Sequence, residues 1–345
     1  MTRSNDDSVP DPEVNAAKAR RSVRNGLISL ALLVVLVVGL LLAIPGLHGV
    51  SRAIAHMNPP WLVLAAGLEI LSCLSYVLAF LQVFDRAPVR FGARVALSEL
   101  AFGGAVSVGG AGSLVVGGWL LVERGAEPAR VVERSVVLFL LTSAINVFTL
   151  VLVGLGLFSG LLPGSRHALL SIVPAGVGTA VIAVFLVLPR VTQRLAKTRQ
   201  PGRVQTFLTG TAASIRDTER LLFTPDWRLL GAIGYLWFDI GVLIACFAAA
   251  GHVPPLASIV LAYQIGYLSN FVPIPGGIGV LDGSFVGMLV LYGVNATTAT
   301  AATLVYHAIA LWIPALWGTI AFVILQRTRG ESVMPRAPNS CPHRS

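Results

Sequence analysis

The sequence predicts an all-α polytopic membrane protein with about six full spans and two oppositely oriented re-entrant hairpins that form an inverted repeat. Three observations carry this. Hydrophobic residues make up 55% of the 345 residues and charged residues only 12%, about half the charged share of soluble domains, and mean hydropathy is +0.79. Apolar segments of spanning length recur along the chain. Two further apolar regions are broken by glycine and proline, and the basic residues decide how those regions lie.

A helix crosses the hydrocarbon core with about 20 apolar residues. Segments 27–46, 60–84, 134–158, 168–189, 229–250 and 303–326 meet that length. Regions 95–123 and 257–293 are apolar as well. Gly109-Gly110-Ala111-Gly112 interrupts the first; Pro273, Pro275, Gly276, Gly277 and Gly279 interrupt the second. The pieces on either side are too short to cross alone. If each region crossed once, the 25 Lys/Arg would divide 13 inside to 12 outside. If each dips in and returns, only Arg52 and Arg166 lie outside and 23 lie inside, as the positive-inside rule requires.

The topology follows from that split. Residues 1–26 and 327–345 are cytoplasmic tails, and 27–326 is one transmembrane domain. Lys18, Arg20, Arg21 and Arg24 precede the apolar run from Leu27 to Ile44, and Ala53-Ile54-Ala55 resembles a cleavage site. The polar lead is long for a signal peptide and the apolar run is near spanning length, so an uncleaved first helix is expected. The first hairpin enters from the cytoplasm and the second from outside, each between two full spans. The repeats cover about 60–158 and 229–326, and the basic loop 190–228 between them is cytoplasmic.

The residues carry a trace of the repeat. Gly109-Gly110-Ala111-Gly112 aligns with Gly276-Gly277-Ile278-Gly279, and Gly125 then falls opposite Gly293 with one gap. Glu69 and Asp239 lie mid-span in their respective units. Inverted repeats with interrupted helices are a recurring transporter architecture whose substrate site lies between the repeats near the midplane.

Pro273 and Pro275 end a half-helix, because proline lacks the N–H and clashes with the preceding turn. Gly276, Gly277 and Gly279 permit positive φ and close backbone approach. A new helix can begin near Val280, and its free N–H groups favour an anion such as phosphate. A tight, well-packed turn would use the same residues. Asp282 would lie in the first helical turn, where an acid either stabilises the helix or serves a proton or headgroup. Ser269 and Asn270 either bond a headgroup or satisfy the carbonyls the break sets free.

Four acids, Glu69, Glu99, Asp239 and Asp282, lie in apolar segments. Each costs about 2.5–3.5 kcal/mol on insertion and needs a cavity, a partner or a proton. Glu69 and Asp239 suit proton coupling, a cationic headgroup or a hydrogen bond between helices. Glu99, one or two turns into its hairpin, is placed near the interface. From Arg228 to Arg327 no Lys or Arg intervenes, so side-chain cations for an anion must come from Arg94, Arg124, Arg130 or Arg134. Glu123, Glu127 and Glu133 interleave with the last three, which reads as a surface ion-pair cluster.

Other chemistry finds little footing. The three cysteines, Cys73, Cys246 and Cys341, form no CxxC or Cys/His cluster, so neither a metal nor a cofactor is expected. His307 reads as a packed residue. The net charge of +9 marks cytoplasmic loops rather than a nucleic-acid partner. GGAVSVGGAGSLVVGG has dinucleotide-like glycine spacing without the βαβ context it requires. No nucleophile elbow, phosphate loop or zinc-binding helix is present, so an enzyme is not expected.

Pro-Ile-Pro-Gly-Gly-Ile-Gly-Val-Leu-Asp, Pro273 to Asp282, resembles the motif of the flippase-like membrane family that includes the transmembrane region of lysylphosphatidylglycerol synthases. The resemblance runs over roughly 60–326 and takes in the first break, the basic middle loop and Gly293-Val294. The family pattern has glutamate after the motif; Asp282 is one methylene shorter. The resemblance implies movement of a phospholipid or an isoprenoid-phosphate carrier between leaflets of a bacterial cell membrane. No aminoacyl-transferase domain follows the last span, so the chain is not expected to make an aminoacylated lipid by itself. The alternatives are a proton-coupled small-solute transporter, a membrane-embedded transferase, and a non-catalytic partner of an envelope-lipid or glycosyltransferase system. Membrane lipids are the expected partners. Loop 190–228 is either a solvated linker or, through an amphipathic segment, a contact for anionic headgroups.

Overall fold

Apolar runs and their punctuation fix where each helix starts and stops. The computed structural model describes residues 48–105, 111–164, 168–196, 213–222, 226–268 and 280–327, and every regular element among them is helical. In chain order these are α1 (His48–Ala55), α2 (Pro59–Val83), α3 (Val89–Ala105), α4 (Ala111–Glu123), α5 (Pro128–Phe158), α6 (Ala168–Ala196), α7 (213–222), α8 (Leu229–Ala249), α9 (Leu256–Leu268), α10 (Val280–Leu291) and α11 (Ala296–Arg327). Five of them, α2, α5, α6, α8 and α11, are long and apolar enough to cross a membrane. They correspond to five of the six expected spans. The sixth, 27–46, lies outside the described residues.

Local chemistry explains the boundaries. Asn58 and Glu127 are extended (ψ 114° and 124°) and each precedes a proline that opens a helix, because proline forces its predecessor out of the α region and suits the first helical position. Asn295 Oδ1 accepts the N–H of Thr297 at 2.9 Å and caps α11. These caps start α5 and α11 six and seven residues ahead of the spans read from hydropathy, since a charged or polar first turn still belongs to the helix. At the other ends, Gly125 and Gly293 have φ of 93° and 89°. Ala126 N–H reaches Leu121 O at 3.1 Å, and Val294 N–H reaches Leu289 O at 3.0 Å. The two glycines aligned by sequence therefore close α4 and α10 with the same left-handed cap.

α2 and α8 form the centre. Half of the α8 window and 44% of the α2 window are buried, against 17% for α6, which leaves α6 at the periphery. The central pair runs antiparallel. Asn58 N–H bonds Ala249 O at 2.9 Å, Ser72 Oγ donates to Tyr235 O at 3.0 Å, and a Cβ on Gly231 would lie 2.7 Å from Ala79 N. The start of α2 thus meets the end of α8. Since these helices are equivalent in the repeat, the two units are related by inversion.

The short helices obey the same relation. The Arg124 guanidinium lies 5.5 Å from the centre of the Phe91 ring, and Gly117 faces Glu99 with no room for a Cβ. α3 and α4 are therefore an antiparallel pair, with their open ends beside the last turn of α11. α9 and α10 are paired through Gly266, which fits against the Phe285 ring. Their open ends face the α5–α6 connection: Gly164 approaches Pro255, and Tyr292 Oη donates to Leu170 O at 2.8 Å. α3 packs on α11 and α9 on α5, each on the long helix of the other unit. The two pairs open toward opposite ends of the bundle. Gly117/Glu99 and Phe285/Gly266 are repeat equivalents, with the glycine on opposite partners.

One expectation changes. Gly112 is not part of a break, because α4 already begins at Ala111. The segment beyond Arg203 holds a helix, α7, whose Ser214, Ile215 and Thr218 are buried. On the same helix Leu221 and Leu222 pack against the apolar cluster formed around α2, α3 and α5.

Candidate functional site

α2 carries Glu69, Cys73 and Tyr76 at i, i+4 and i+7, one stripe of a helix. α8 carries Tyr235 and Asp239 at i and i+4. Antiparallel crossing brings the stripes together in an otherwise apolar core. Glu69 is 4% exposed and Asp239 8%. Cys73 Sγ contacts Glu69 Oε1 at 3.7 Å. Glu69 Oε2 is buried and has no hydrogen-bond partner among the described residues.

Asp239 is held from the second unit. Tyr263 of α9 and Tyr306 of α11 both donate to its Oδ2, Tyr306 at 2.9 Å. The Tyr263 ring meets Phe285 edge-on at 5.6 Å, and His307 packs against Phe285 and Tyr306, the packed role expected of it. On the other flank Tyr76 Oη donates to Glu99 Oε2 at 2.8 Å, and the Tyr76 and Tyr235 rings lie 5.0 Å apart. The result is a lateral seam of exchangeable-proton side chains running from the α3–α4 pair through the crossing to the α9–α10 pair.

Glu69, Asp239 and Glu99 are thus the expected residues that come together. Glu99 is buried in the seam, in the space that Gly117 leaves for its carboxyl. The Asp282 backbone lies in the first turn of α10, as expected, and its side chain lies outside the described residues. Gly109, Gly110, Asn270, Pro273, Pro275, Gly276, Gly277 and Gly279 also lie outside them. Arg124 does not join a surface cluster: it is buried and donates to Leu325 O at 2.9 Å. Among the described residues no group of three or more His, Cys, Asp or Glu is placed to hold a metal ion.

The tyrosines were missed from sequence. Tyrosine in membrane proteins is expected at the interfaces, yet four of the chain's six surround the seam well inside their helices. Their position was the available signal.

The sequence model of the family described as "Lysylphosphatidylglycerol synthase TM region" matches residues 26–318. The chain belongs to this family. The match covers both short-helix pairs and the central crossing. Among curated relatives, a "UPF0104 membrane protein" of Methanothermobacter thermautotrophicus is 31% identical over 107 residues, 31% of this chain and 30% of that protein. An "Inner membrane protein YbhN" of Escherichia coli K12 is 28% identical over 122 residues, 34% of this chain and 35% of that protein. The matched stretches thus span about a third of each relative. This lysylphosphatidylglycerol-synthase-type membrane region is a multi-pass membrane protein.

Proposed function

We propose that the protein moves a phospholipid or an isoprenoid-phosphate-linked lipid between the leaflets of the cell membrane. The observation that carries the reading is the pair of short-helix hairpins opening to opposite ends around one antiparallel crossing. In this reading both hairpins are re-entrant and both termini are cytoplasmic. The breaks at 109–110 and 273–279 line a path for the headgroup while the tails stay in lipid. Irregular backbone is tolerated at membrane depth only where protein or a water-lined cavity covers it. The protein performs no covalent chemistry of its own, and the charged loop 190–228 meets anionic headgroups. Family membership supports the lipid class; the buried carboxylates support a polar interior.

The decisive experiment is lipid exchange in vesicles containing the purified protein, with fluorescent phospholipids and a polyprenyl-phosphate probe. The native protein is expected to exchange at least one probe, and Gly276→Leu/Gly277→Leu to slow it by about tenfold or more, about 1.4 kcal/mol of barrier. No exchange from demonstrably folded protein would shift the reading to a small-solute carrier.

Orientation is tested separately. Arg86 and Glu127 are exposed at one end of the bundle, Leu161 and His252 at the other. Cysteines at the first two are expected to be shielded from an impermeant thiol reagent in intact cells, and those at the last two to react. The buried native Cys73 and Cys246 should stay silent. The reverse pattern would invert the topology.

A further inference from the structure

We propose that a cleft between α5, α7 and the start of α8 receives the headgroup of a phospholipid that carries both a phosphate and an amine, as phosphatidylethanolamine does. Its role as an entry point rests on the lipid movement proposed above; the binding site does not.

Arg134, Asp217, Arg220, Leu221 and Asp226 line a cleft of about 210 Å³. Three elements build it. Asp217, Arg220 and Leu221 stand at i, i+3 and i+4 on α7 and share one stripe. Arg134 lies in the second turn of α5. Asp226 precedes α8, and its Oδ1 accepts the Arg228 N–H at 3.0 Å. These elements meet at the end of the bundle where α2 stops and α5 and α8 begin, the end that the orientation proposed above makes cytoplasmic. Leu221 also packs on the apolar cluster of α2, α3 and α5, so burial holds α7 where its charged residues line the cleft.

The lining charges select the ligand. Two guanidiniums and two carboxylates share the cleft, and Arg220 Nη1 stands 4.0 Å from Asp217 Oδ1, beyond hydrogen-bond distance. A purely anionic headgroup would gain from the arginines and meet repulsion from the aspartates. A bare amine would meet the reverse. A headgroup with both groups satisfies the whole lining: its phosphate oxygens accept from Arg134 and Arg220, and its ammonium donates to Asp217 and Asp226. A carboxylate has two acceptor oxygens, and the Arg228 N–H occupies one of them at Asp226.

Size and surroundings favour a lipid over a free solute. Pockets that enclose a whole small molecule run to roughly 300–1,000 Å³; this cleft is smaller and suits a headgroup whose tails lie outside. Trp227, next in the chain to Asp226, is 64% exposed, and on α8 Leu230 is 63% and Trp237 39% exposed. Leu230 and Trp237 lie two turns apart on one face and run from the cleft end of α8 toward its middle, a lane for an acyl chain. Tryptophan is enriched where membrane meets water.

The test uses the purified full chain in detergent micelles with equimolar phosphatidylethanolamine and phosphatidylglycerol, read by native mass spectrometry. The native protein is expected to retain phosphatidylethanolamine over phosphatidylglycerol by about fivefold, the scale of exposed ion pairs. Asp226→Asn keeps an oxygen for the Arg228 N–H and removes the charge, so the preference should fall toward parity. If that variant misfolds, Asp217→Asn carries the same expectation. Arg220→Gln, at a side chain 82% exposed, should weaken retention of both lipids by about threefold with an unchanged thermal midpoint. No preference in the native protein, a preference for phosphatidylglycerol, or native retention in these variants would overturn the site. Free phosphoethanolamine that binds as tightly as the lipid would assign the cleft to a soluble ligand and overturn the lipid.

Lipid exchange in vesicles tests the entry role. Asp226→Asn is expected to slow an acyl-labelled phosphatidylethanolamine probe by about fivefold relative to a phosphatidylglycerol probe. The lipid preference without exchange of any probe by the native protein would uphold the cleft and reject lipid transport. Native-rate phosphatidylethanolamine exchange in Asp226→Asn would reject the entry role and leave the cleft as a binding site.

Discussion

Gly231→Leu is expected to destroy the folded protein more completely than any other single substitution in the α2–α8 pair. A Cβ at Gly231 would lie 2.7 Å from Ala79 N, 2.8 Å from Ser75 O and 2.8 Å from Leu78 Cβ. Two of those atoms are backbone and cannot rotate away, so α2 and α8 would have to part. Overpacking costs about 1–3 kcal/mol in well-packed cores, and this site belongs at the top of that range. Separation would also break the Ser72–Tyr235 bond. Gly234→Ala should cost less, because its closest contact, 2.7 Å, is the Ser75 hydroxyl, which can turn. Gly67→Leu on α2 is the control: it meets nothing within 4 Å and should change stability by less than about 0.5 kcal/mol. Denaturant midpoints in detergent, with size-exclusion profiles after heating, measure the series. A native midpoint for Gly231→Leu would mean the two helices do not cross there.

Much of this frame was legible in the sequence, for reasons that differ from element to element. The spans could be read because the bilayer fixes helix length. The short antiparallel helix pairs could be expected because glycine and proline interrupt both apolar regions and leave pieces too short to cross alone. Gly125 and Gly293 could be matched because a left-handed cap admits little else. Glu69 and Asp239 could be singled out as acids at equivalent mid-span positions, and the structure buries both.

The rest depends on partners far away in the chain. Nothing near Glu99 announces that Tyr76 will donate to it or that Gly117 will vacate space for it. Tyr263 and Tyr306 reach Asp239 from two other helices, and no local pattern encodes that convergence. Arg124 misled for the same reason: glutamates flank it in sequence, but its position before the Gly125 turn aims it inward. Helix starts were misjudged where a cap, not hydropathy, decides them.

Arg124→Ala carries the second largest effect. This arginine ends the first hairpin, is 8% exposed, and donates from Nη2 to Leu325 O at 2.9 Å, 201 residues away. Leu325 lies in the last turn of α11, where carbonyls have no intrahelical donor and carry the negative end of the helix dipole. The guanidinium therefore satisfies a buried acceptor, complements the dipole and sits over Phe91 at 5.5 Å. A hydrogen bond to a charged group contributes about 1.5–3 kcal/mol and a cation–π contact about 0.5–2 kcal/mol. One guanidinium makes both, so they do not simply add, and the loss should be about 2–3 kcal/mol. Arg124→Lys should recover only part, since an ammonium can reach the carbonyl but cannot stack as a plane. Arg130→Ala, beyond the Gly125 turn in the first turn of α5 and exposed, should stay within about 0.5 kcal/mol of native. The effect should also be local. Amide hydrogen exchange is expected to quicken around Phe91, Leu121 and Leu325, where the hairpin base meets α11, and to stay native at the α9–α10 base around Ala257 and Tyr292. Uniform quickening across both bases would show that Arg124 holds the whole bundle together and not one hairpin. Native exchange at both would show that the contact with Leu325 contributes nothing.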